Sequence, residues 1–174
     1  GAGNDKLLAG NGSHQIWGQQ GVDNITTGSG IALKVYGGGD ADIITIGDGN
    51  NLIWGDDEPG SNTGVEAGDQ ITTGNGTVEI HGQGGSDVIV AGIGTKLIYA
   101  DAGDDDLSLG NGNATVYLSE GNDLLRQGGD GDWLIYGDAG NDEIHIGKGA
   151  AEKVVGHGDT PGERMDLDGY IPEL

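Results

Sequence analysis

GDAGNDEI, at residues 137–144, is the clearest copy of a short motif that recurs along the chain. Its Asp is followed two residues later by Leu or Ile, as it is in GAGNDKL at residues 1–7. Because all eight copies share this apolar position, the motif is an internal repeat. The acids are Asp5, Asp23, Asp42, Asp69, Asp87, Asp105, Asp123 and Asp142, with spacings of 18, 19, 27, 18, 18, 18 and 19 residues.

A second apolar column follows each Asp by 11 or 12 residues, and a Gly-x-Gly turn lies between the two columns. The repeat unit is therefore an acidic turn, a short strand, a glycine turn and a second short strand. Two short strands cannot bury their apolar side chains alone, but stacked copies can. We predict an all-β parallel β-roll, or β-solenoid, of about eight coils. The second column is Ile16, Val35, Ile53, Ile80, Ile98, Val116, Ile135 and Val154.

The repeats predict one solenoid domain over residues 1–158, with an insertion near residues 55–68. In six of seven cases, seven residues separate the second column from the next Asp, whereas the glycine edge varies in length. A loop that places oxygen atoms around an ion would be held to a constant length in this way. Residues 159–174 break the pattern and are predicted to fold back as a C-terminal cap through Met165, Leu167, Tyr170 and Ile171.

The formal net charge of -22 points to a cation as the natural partner, because such self-repulsion opposes a compact state. Oxygen ligands in a chain without cysteine favour Ca²⁺ over Zn²⁺ or copper. With seven Lys and Arg residues against 29 acids, nucleic acid is not an expected partner. The longest apolar runs are far shorter than the roughly 18 residues needed to span a bilayer.

The acidic turns resemble the RTX, or haemolysin-type, calcium-binding nonapeptide repeat. The matching stretches include GQGGSDVI at 82–89 and SEGNDLL at 119–125, and GGGDADII at 37–44 is a close variant. Their spacing of 18–19 residues is similar to the one-sided repeats of large bacterial RTX adhesins, including an ice-binding type. GNGSHQ, GIGTKL and GKGAAE on the glycine edge carry no acid at the matching place, so we expect one calcium-binding edge.

The resemblance implies a secreted, extracellular bacterial module that is exported by a type I route and folds on binding Ca²⁺. Neighbouring domains of a larger adhesin, toxin or enzyme would be its partners. Each ion is expected between adjacent coils, which allows at most about seven, and the insertion leaves the gap between Asp42 and Asp69 open. Besides the eight column acids, the predicted metal site comprises Gly3, Asn4, Gly21, Asp40, Gly85, Gly103, Asp104, Gly121, Asn122, Gly140 and Asn141.

An aromatic row follows the second column and is predicted to face outward by strand alternation. It is either a ladder that stabilises itself or a candidate ligand face on which the sugar rings of a polysaccharide would stack. The row is Trp17, Tyr36, Trp54, His81, Tyr99, Tyr117 and Tyr136, with His81 in place of a Tyr or Trp.

Two further functions are weaker. Thr26, Thr45 and Thr72 form an outward row of the kind that would suggest ice binding, but the row ends after three members. The histidines share no spacing, and the chain carries no HExxH motif or phosphate-binding loop. We therefore expect no enzymatic activity from this chain, although a catalytic domain attached to it in a larger protein is compatible with the sequence.

Overall fold

The computed structural model describes residues 1–57, 66–147, 151–155 and 164–167, and within these ranges it contains seventeen strands and no helix. The strands alternate between two parallel sheets as the chain winds. Their bounds are β1 (Lys6–Ala9), β2 (Gln15–Gln20), β3 (Asn24–Thr27), β4 (Gly30–Gly39), β5 (Ile43–Ile46), β6 (Gly49–Trp54), β7 (Gln70–Thr73), β8 (Gly76–His81), β9 (Val88–Ala91), β10 (Gly94–Tyr99), β11 (Asp106–Leu109), β12 (Ala114–Tyr117), β13 (Leu124–Gln127), β14 (Asp132–Tyr136), β15 (Glu143–Ile146), β16 (Ala151–Val155) and β17 (Arg164–Leu167).

The odd-numbered strands form a nine-stranded sheet and the even-numbered strands an eight-stranded sheet, each in the order in which the strands occur in the chain. One odd and one even strand make a coil, and β1 to β16 make eight coils. All pairings are parallel, and equivalent residues of successive repeats face each other, as in Ile71↔Ile89 and Ile80↔Ile98. The predicted all-β parallel β-solenoid is confirmed.

The two apolar columns form the core between the sheets. On the odd strands the first column is buried from Ile25 to Ile144, and on the even strands the second column is buried from Val35 to Ile135. Residues between them along each strand point outward, as expected from strand alternation. Leu8, one residue beyond the first column, is exposed. A period of two residues therefore divides each short strand into a buried and an exposed half.

The insertion lies outside the sheet ladder. β6 ends at Trp54 and β7 begins at Gln70, yet Ile44 still pairs with Ile71 and Ile53 with Ile80. The insertion, which falls between β6 and β7, therefore does not shift the register of either sheet. Residues 58–65 fall outside the described part of the chain.

Residues 164–167, which are part of the predicted C-terminal cap segment, continue the odd-numbered sheet. These residues form β17, which pairs in parallel with β15 and sets Ile144 opposite Met165 and Ile146 opposite Leu167. The apolar residues at 165 and 167 have the same spacing as those of the preceding odd strands, and this explains why the sheet continues without a column Asp. Tyr170 and Ile171 lie outside the described residues, so their part of the predicted cap is untested.

Core packing provides a direct test of the solenoid. Ile98 is 0% exposed and Ile93 is 58% exposed. The same Ile→Ala substitution at both positions therefore distinguishes the loss of a buried side chain from the loss of an exposed one. We expect Ile98→Ala to lower the free energy of unfolding by about 2–5 kcal/mol, because it leaves a cavity between the sheets. Ile93→Ala should change it by less than about 0.5 kcal/mol. The measurement is urea unfolding with saturating Ca²⁺, and equal effects at both positions would contradict the fold.

Candidate metal site at the acidic edge

The column acids form one continuous row at the turn that leads from each even strand to the next odd strand. From Asp23 to Asp142 they are 1–2% exposed, and only Asp5 in the first coil is more open. The Oδ1 atom of each buried acid accepts a hydrogen bond from the backbone N–H of the column Asp in the preceding coil, at 2.6–3.0 Å. This ladder runs across the insertion, since the N–H of Asp42 donates to Asp69 at 2.7 Å.

The second carboxylate oxygen of six of these acids has no such partner. In six coils the Oδ2 atom is buried and receives no hydrogen bond from the described residues. At Gly18 a Cβ would overlap both the Oδ2 of Asp23 and the carbonyl oxygen of Gly37 in the next coil. Two acceptor oxygens thus converge on one glycine with no donor between them. The six acids are Asp23, Asp42, Asp69, Asp87, Asp105 and Asp123.

The same arrangement recurs in the three coils that follow Gly18. A Cβ at Gly37, Gly55 or Gly82 would overlap the Oδ2 of the column acid that follows it in the chain and a carbonyl oxygen of the next coil. These glycines lie five residues before the column Asp in the regular coils, and Gly55 takes that place in the coil with the insertion. Sequence reasoning missed them as part of the site, although their fixed offset was a readable signal.

Burial makes ionisation of the column acids costly. Desolvation is the main cause that raises the pKa of Asp69 to about 9 and that of Asp87 to about 8, and the charges of neighbouring acids raise both further. The pKa values of Asp42, Asp105 and Asp123 rise to about 7 for the same main reason. The backbone N–H donated to Oδ1 opposes these shifts but does not cancel them. A cation beside Oδ2 would remove this cost.

The predicted turn glycines have a conformational reason for their place. Two residues before the column Asp, the backbone is left-handed in the regular coils, with a φ of 112° at Gly3 and 74° at Asp40. The backbone is also left-handed four residues before the column Asp, where most coils have a residue other than glycine, such as Gln83 or Asp101. Such strain persists only where the surroundings impose it. The other predicted site residues with a left-handed backbone two residues before the column Asp are Gly21, Gly85, Gly103, Gly121 and Gly140.

The residues directly before the column Asp form a separate outer row. The side-chain oxygen of Asn4 accepts from the N–H of Val22, and Asp104 accepts from the N–H of Asn122 at 2.7 Å. Asn122 accepts in turn from Asn141 at 3.1 Å. These side chains bond from coil to coil on the exposed side of the turn, so the structure does not bring them to the buried Oδ2 atoms. Their placement favours a role in holding the turns together.

The buried row suits a hard cation that binds oxygen. Ca²⁺ takes six to eight oxygen ligands, including carboxylates and backbone carbonyls, at about 2.3–2.6 Å. In the described ranges no three His, Asp or Glu side chains gather to hold a metal ion. The side chains alone therefore cannot complete a site, and the carbonyl oxygens of the glycine turns must supply the other ligands. The column carboxylates would hold the ion, and Ca²⁺ would supply the positive charge that the row lacks.

A parallel β-roll with a stacked row of carboxylates and carbonyls at one edge defines a calcium-binding repeat module. The model of the RTX calcium-binding nonapeptide repeat matches the chain in four copies, at residues 1–31, 34–57, 63–95 and 97–116. These matches cover more than half of the chain, and the chain belongs to this family. Searches of curated proteins and of solved structures found no match.

The opposite, glycine edge has its own donors for the turn carbonyls. Lys96 stands where the nonapeptide would place its Asp and is 2% exposed, and its Nζ donates to the carbonyls of Gly94, Gly110 and Asn111 at 2.9–3.0 Å. In the next coil but one, the indole N–H of Trp133 donates to the carbonyl of Gly112. A buried ammonium thus occupies a place where the other edge presents oxygens without donors. The sequence showed the missing acid in GIGTKL but not this use of the lysine.

The aromatic row is a continuous stack. Successive ring centroids from Trp17 to Tyr136 lie 4.5–5.6 Å apart, with interplanar angles of 9° or less. Each inner ring has both faces covered by its neighbours, which leaves only its edges for a ligand. Tyr36 is only 5% exposed, because its ring is stacked between the larger indoles of Trp17 and Trp54. Tyr99 and Tyr117 continue the stack.

No helix in the described ranges is long and apolar enough to cross a membrane.

Removal of the buried ammonium tests the glycine edge. Lys96→Met keeps much of the side-chain length but removes the Nζ donor from three carbonyls. The carbonyl of Asn111 keeps the N–H of Gly94 and that of Gly110 keeps the side-chain amide of Gln127, so the variant mainly removes the buried charge and the donor to Gly94. We expect it to lower the free energy of unfolding by roughly 2–4 kcal/mol in saturating Ca²⁺. Lys34→Met, which removes the same charge from a half-buried lysine, should cost about 1 kcal/mol or less. Equal losses would show that Lys96 is not a structural cation.

The raised pKa values predict that acid stabilises the calcium-free fold. An Asp titrates near 3.9 in the unfolded chain, whereas five column acids titrate between about 7 and about 9 in the fold. The folded state therefore binds more protons, and its stability falls as the pH rises from about 4 to about 9. In EDTA, the chain should be more resistant to urea at about pH 5.5 than at about pH 8.

The matched measurement is urea unfolding at the same two pH values with saturating Ca²⁺. Bound ions then replace the protons, so the difference in stability between the two pH values should shrink or reverse. A calcium-free chain that is as stable at about pH 8 as at about pH 5.5 would contradict the burial of ionisable carboxylates.

Proposed function

We propose that this chain is an extracellular module that folds when Ca²⁺ binds along its acidic edge and that serves as a rigid part of a larger protein. The observation that carries the proposal is the row of buried Oδ2 atoms without hydrogen-bond donors. Buried carboxylates that are unpaired are costly, so the fold needs a cation at neutral pH. Because the row forms only in the folded chain, the free energy of Ca²⁺ binding there also stabilises the fold.

The charge of the chain supports coupling between folding and ion binding. With a formal net charge of -22, the chain repels itself, and stacking the column acids concentrates that charge on one edge. Ca²⁺ ions between adjacent coils would neutralise the row and join each coil to the next. The ladder across the insertion supports a site in the gap between Asp42 and Asp69 as well.

The family supports a place outside the cell, since RTX repeats are typical of secreted bacterial proteins. Extracellular calcium-binding modules work with dissociation constants of about 10⁻⁴–10⁻³ M, far above the free Ca²⁺ of a cytosol. The chain would remain unfolded before export, through a type I route, and would fold outside the cell. The parent protein would be an adhesin, a toxin or an enzyme, and the module itself would perform no catalysis.

The stacked rings favour the structural role over polysaccharide binding. Sugar rings bind to the open faces of aromatic side chains, and the faces of Tyr99 and its neighbours are covered by one another. The three Thr residues of the outward row are followed along the same row by Val90, Ser108 and Arg126, which form no regular surface for ice.

Circular dichroism with and without a chelator tests the proposal. At neutral pH, EDTA should abolish the β spectrum and expand the chain in size-exclusion chromatography, and excess Ca²⁺ should restore both. Mg²⁺ at the same concentration is the control, and it should restore little, because it demands octahedral geometry and gives up its waters reluctantly. A β spectrum that survives complete chelation would sink the proposal.

A further inference from the structure

Leu118 is an exception in the row of glycines that precedes the column acids. Glycine stands five residues before the column Asp in most coils, and Gly55 takes that place in the coil with the insertion. In the two coils that carry Asp105 and Asp123, the residues at this place are Ala100 and Leu118, and both are 0% exposed. Two apolar side chains are therefore buried at an edge where the other coils leave the space to oxygen atoms.

The backbone at Leu118 makes the same contact as the backbone at the glycines. Its N–H donates to the carbonyl of Tyr136 in the next coil at 2.9 Å, just as the N–H of Gly82 donates to the carbonyl of Tyr99 at 2.8 Å. Both acceptors belong to the aromatic row, so the two N–H groups hold equivalent places in the solenoid. The Cβ of Leu118 therefore lies in the space that a Cβ at Gly82 would take.

In the coils with glycine, that space is where two oxygen atoms converge. A Cβ at Gly82 would overlap the Oδ2 of Asp87 and a carbonyl oxygen of the next coil. At Leu118 the corresponding oxygens are the Oδ2 of Asp123 and the carbonyl oxygen of Gly137. Because protein interiors are closely packed and atoms cannot share the space, the leucine holds these two oxygens apart.

The chemical character of this space changes with the side chain. Leu118 and Ala100 are part of the apolar core cluster between the sheets. Ca²⁺ takes six to eight oxygen ligands at about 2.3–2.6 Å, and an alkyl group offers none. Burial of a charge beside apolar atoms is costly without such ligands. The gap between Asp123 and Asp142 is therefore a poorer place for Ca²⁺ than a gap lined by glycine. Ala100 has a smaller effect in the preceding gap, because its side chain is a single methyl group.

We propose that Leu118 makes the gap between Asp123 and Asp142 the weakest Ca²⁺ site of the row, so that this gap is the last to fill. The inference rests on the proposed function, because it assumes that Ca²⁺ binds along the acidic edge. As free Ca²⁺ rises, the ions join the middle coils before they join the last one. The four gaps that are lined by glycine fill first, and they begin at Gly18, Gly37, Gly55 and Gly82.

Equilibrium dialysis of the full chain against buffers of fixed free Ca²⁺ tests the proposal. The comparison is made at the lowest free Ca²⁺ at which circular dichroism shows the wild type to be folded. Leu118→Gly restores the space that the other coils have, and it should hold about one ion per chain more than the wild type, although it loses a buried side chain. Ala100→Gly should raise the number of bound ions by less.

Leu109→Gly is the matched control. Leu109 is 5% exposed and ends β11, directly before the glycine turn at residues 110–112, so the variant loses the same buried side chain away from the acidic row. We expect it to hold no more ions than the wild type. If Leu118→Gly gains no ion, or if both variants change the number of bound ions alike, the proposal is overturned while calcium binding by the row stands.

A crystal structure of the wild-type chain at the same free Ca²⁺ decides the matter even if Leu118→Gly fails to fold. Ions should occupy the gaps lined by glycine, and the gap between Asp123 and Asp142 should be empty or have the lowest occupancy. An ion there with the same occupancy and the same number of oxygen ligands as the ion between Asp69 and Asp87 would overturn this proposal alone. A wild-type chain that binds no Ca²⁺ in either experiment would overturn the proposed function as well.

Discussion

Stacking a carboxylate on its own copy in every coil is the constraint on which this structure depends. Charges one strand spacing apart repel each other by on the order of 3 kcal/mol at an effective dielectric constant of 20. The fold divides each carboxylate between two tasks. One oxygen completes a ladder of backbone hydrogen bonds, as between Asp87 and Asp105, and the other is left in a buried row without donors. The first task orders the turn, and the second makes that order dependent on positive charge.

Both edges of the solenoid bring oxygen atoms together in a buried place, and the groups that can balance these oxygens differ between the edges. Both edges are glycine turns whose carbonyl oxygens point toward the interior, and both need positive or donating groups. On the proposed function, the acidic edge would take its charge from Ca²⁺ in solution, whereas the glycine edge has the charge of Lys96 and neutral donors such as Trp133. Only the acidic edge would then respond to the ionic conditions. The ladder of stacked rings adds cohesion on the even sheet and needs no ion.

Most of the fold could be predicted from two apolar columns, because a constant offset from each Asp leaves few ways to bury Ile25 or Val35 except by stacking. The column acids followed from the same periodicity. The role of Lys96 could not be assigned in this way, since it replaces the expected acid and its role depends on which atoms the neighbouring coil presents. The near-complete burial of Tyr36 likewise depends on the size of the rings on either side of it. The periodicity of the sequence predicts where each residue lies in the solenoid, whereas its interactions depend on the residues of the neighbouring coils.

The direction of the sheet hydrogen bonds also sets how the solenoid would respond to force. In both sheets the bonds between neighbouring strands run along the long axis of the rod, and equivalent residues are 18 or 19 positions apart in a regular repeat. A pull on the two chain ends would load the bonds of the outermost coil first and peel the coils away one at a time. Each would release roughly 60 Å of extended chain. A rod of this kind lengthens in steps, and each step would be resisted by one turn of the aromatic stack and one gap of the ion row.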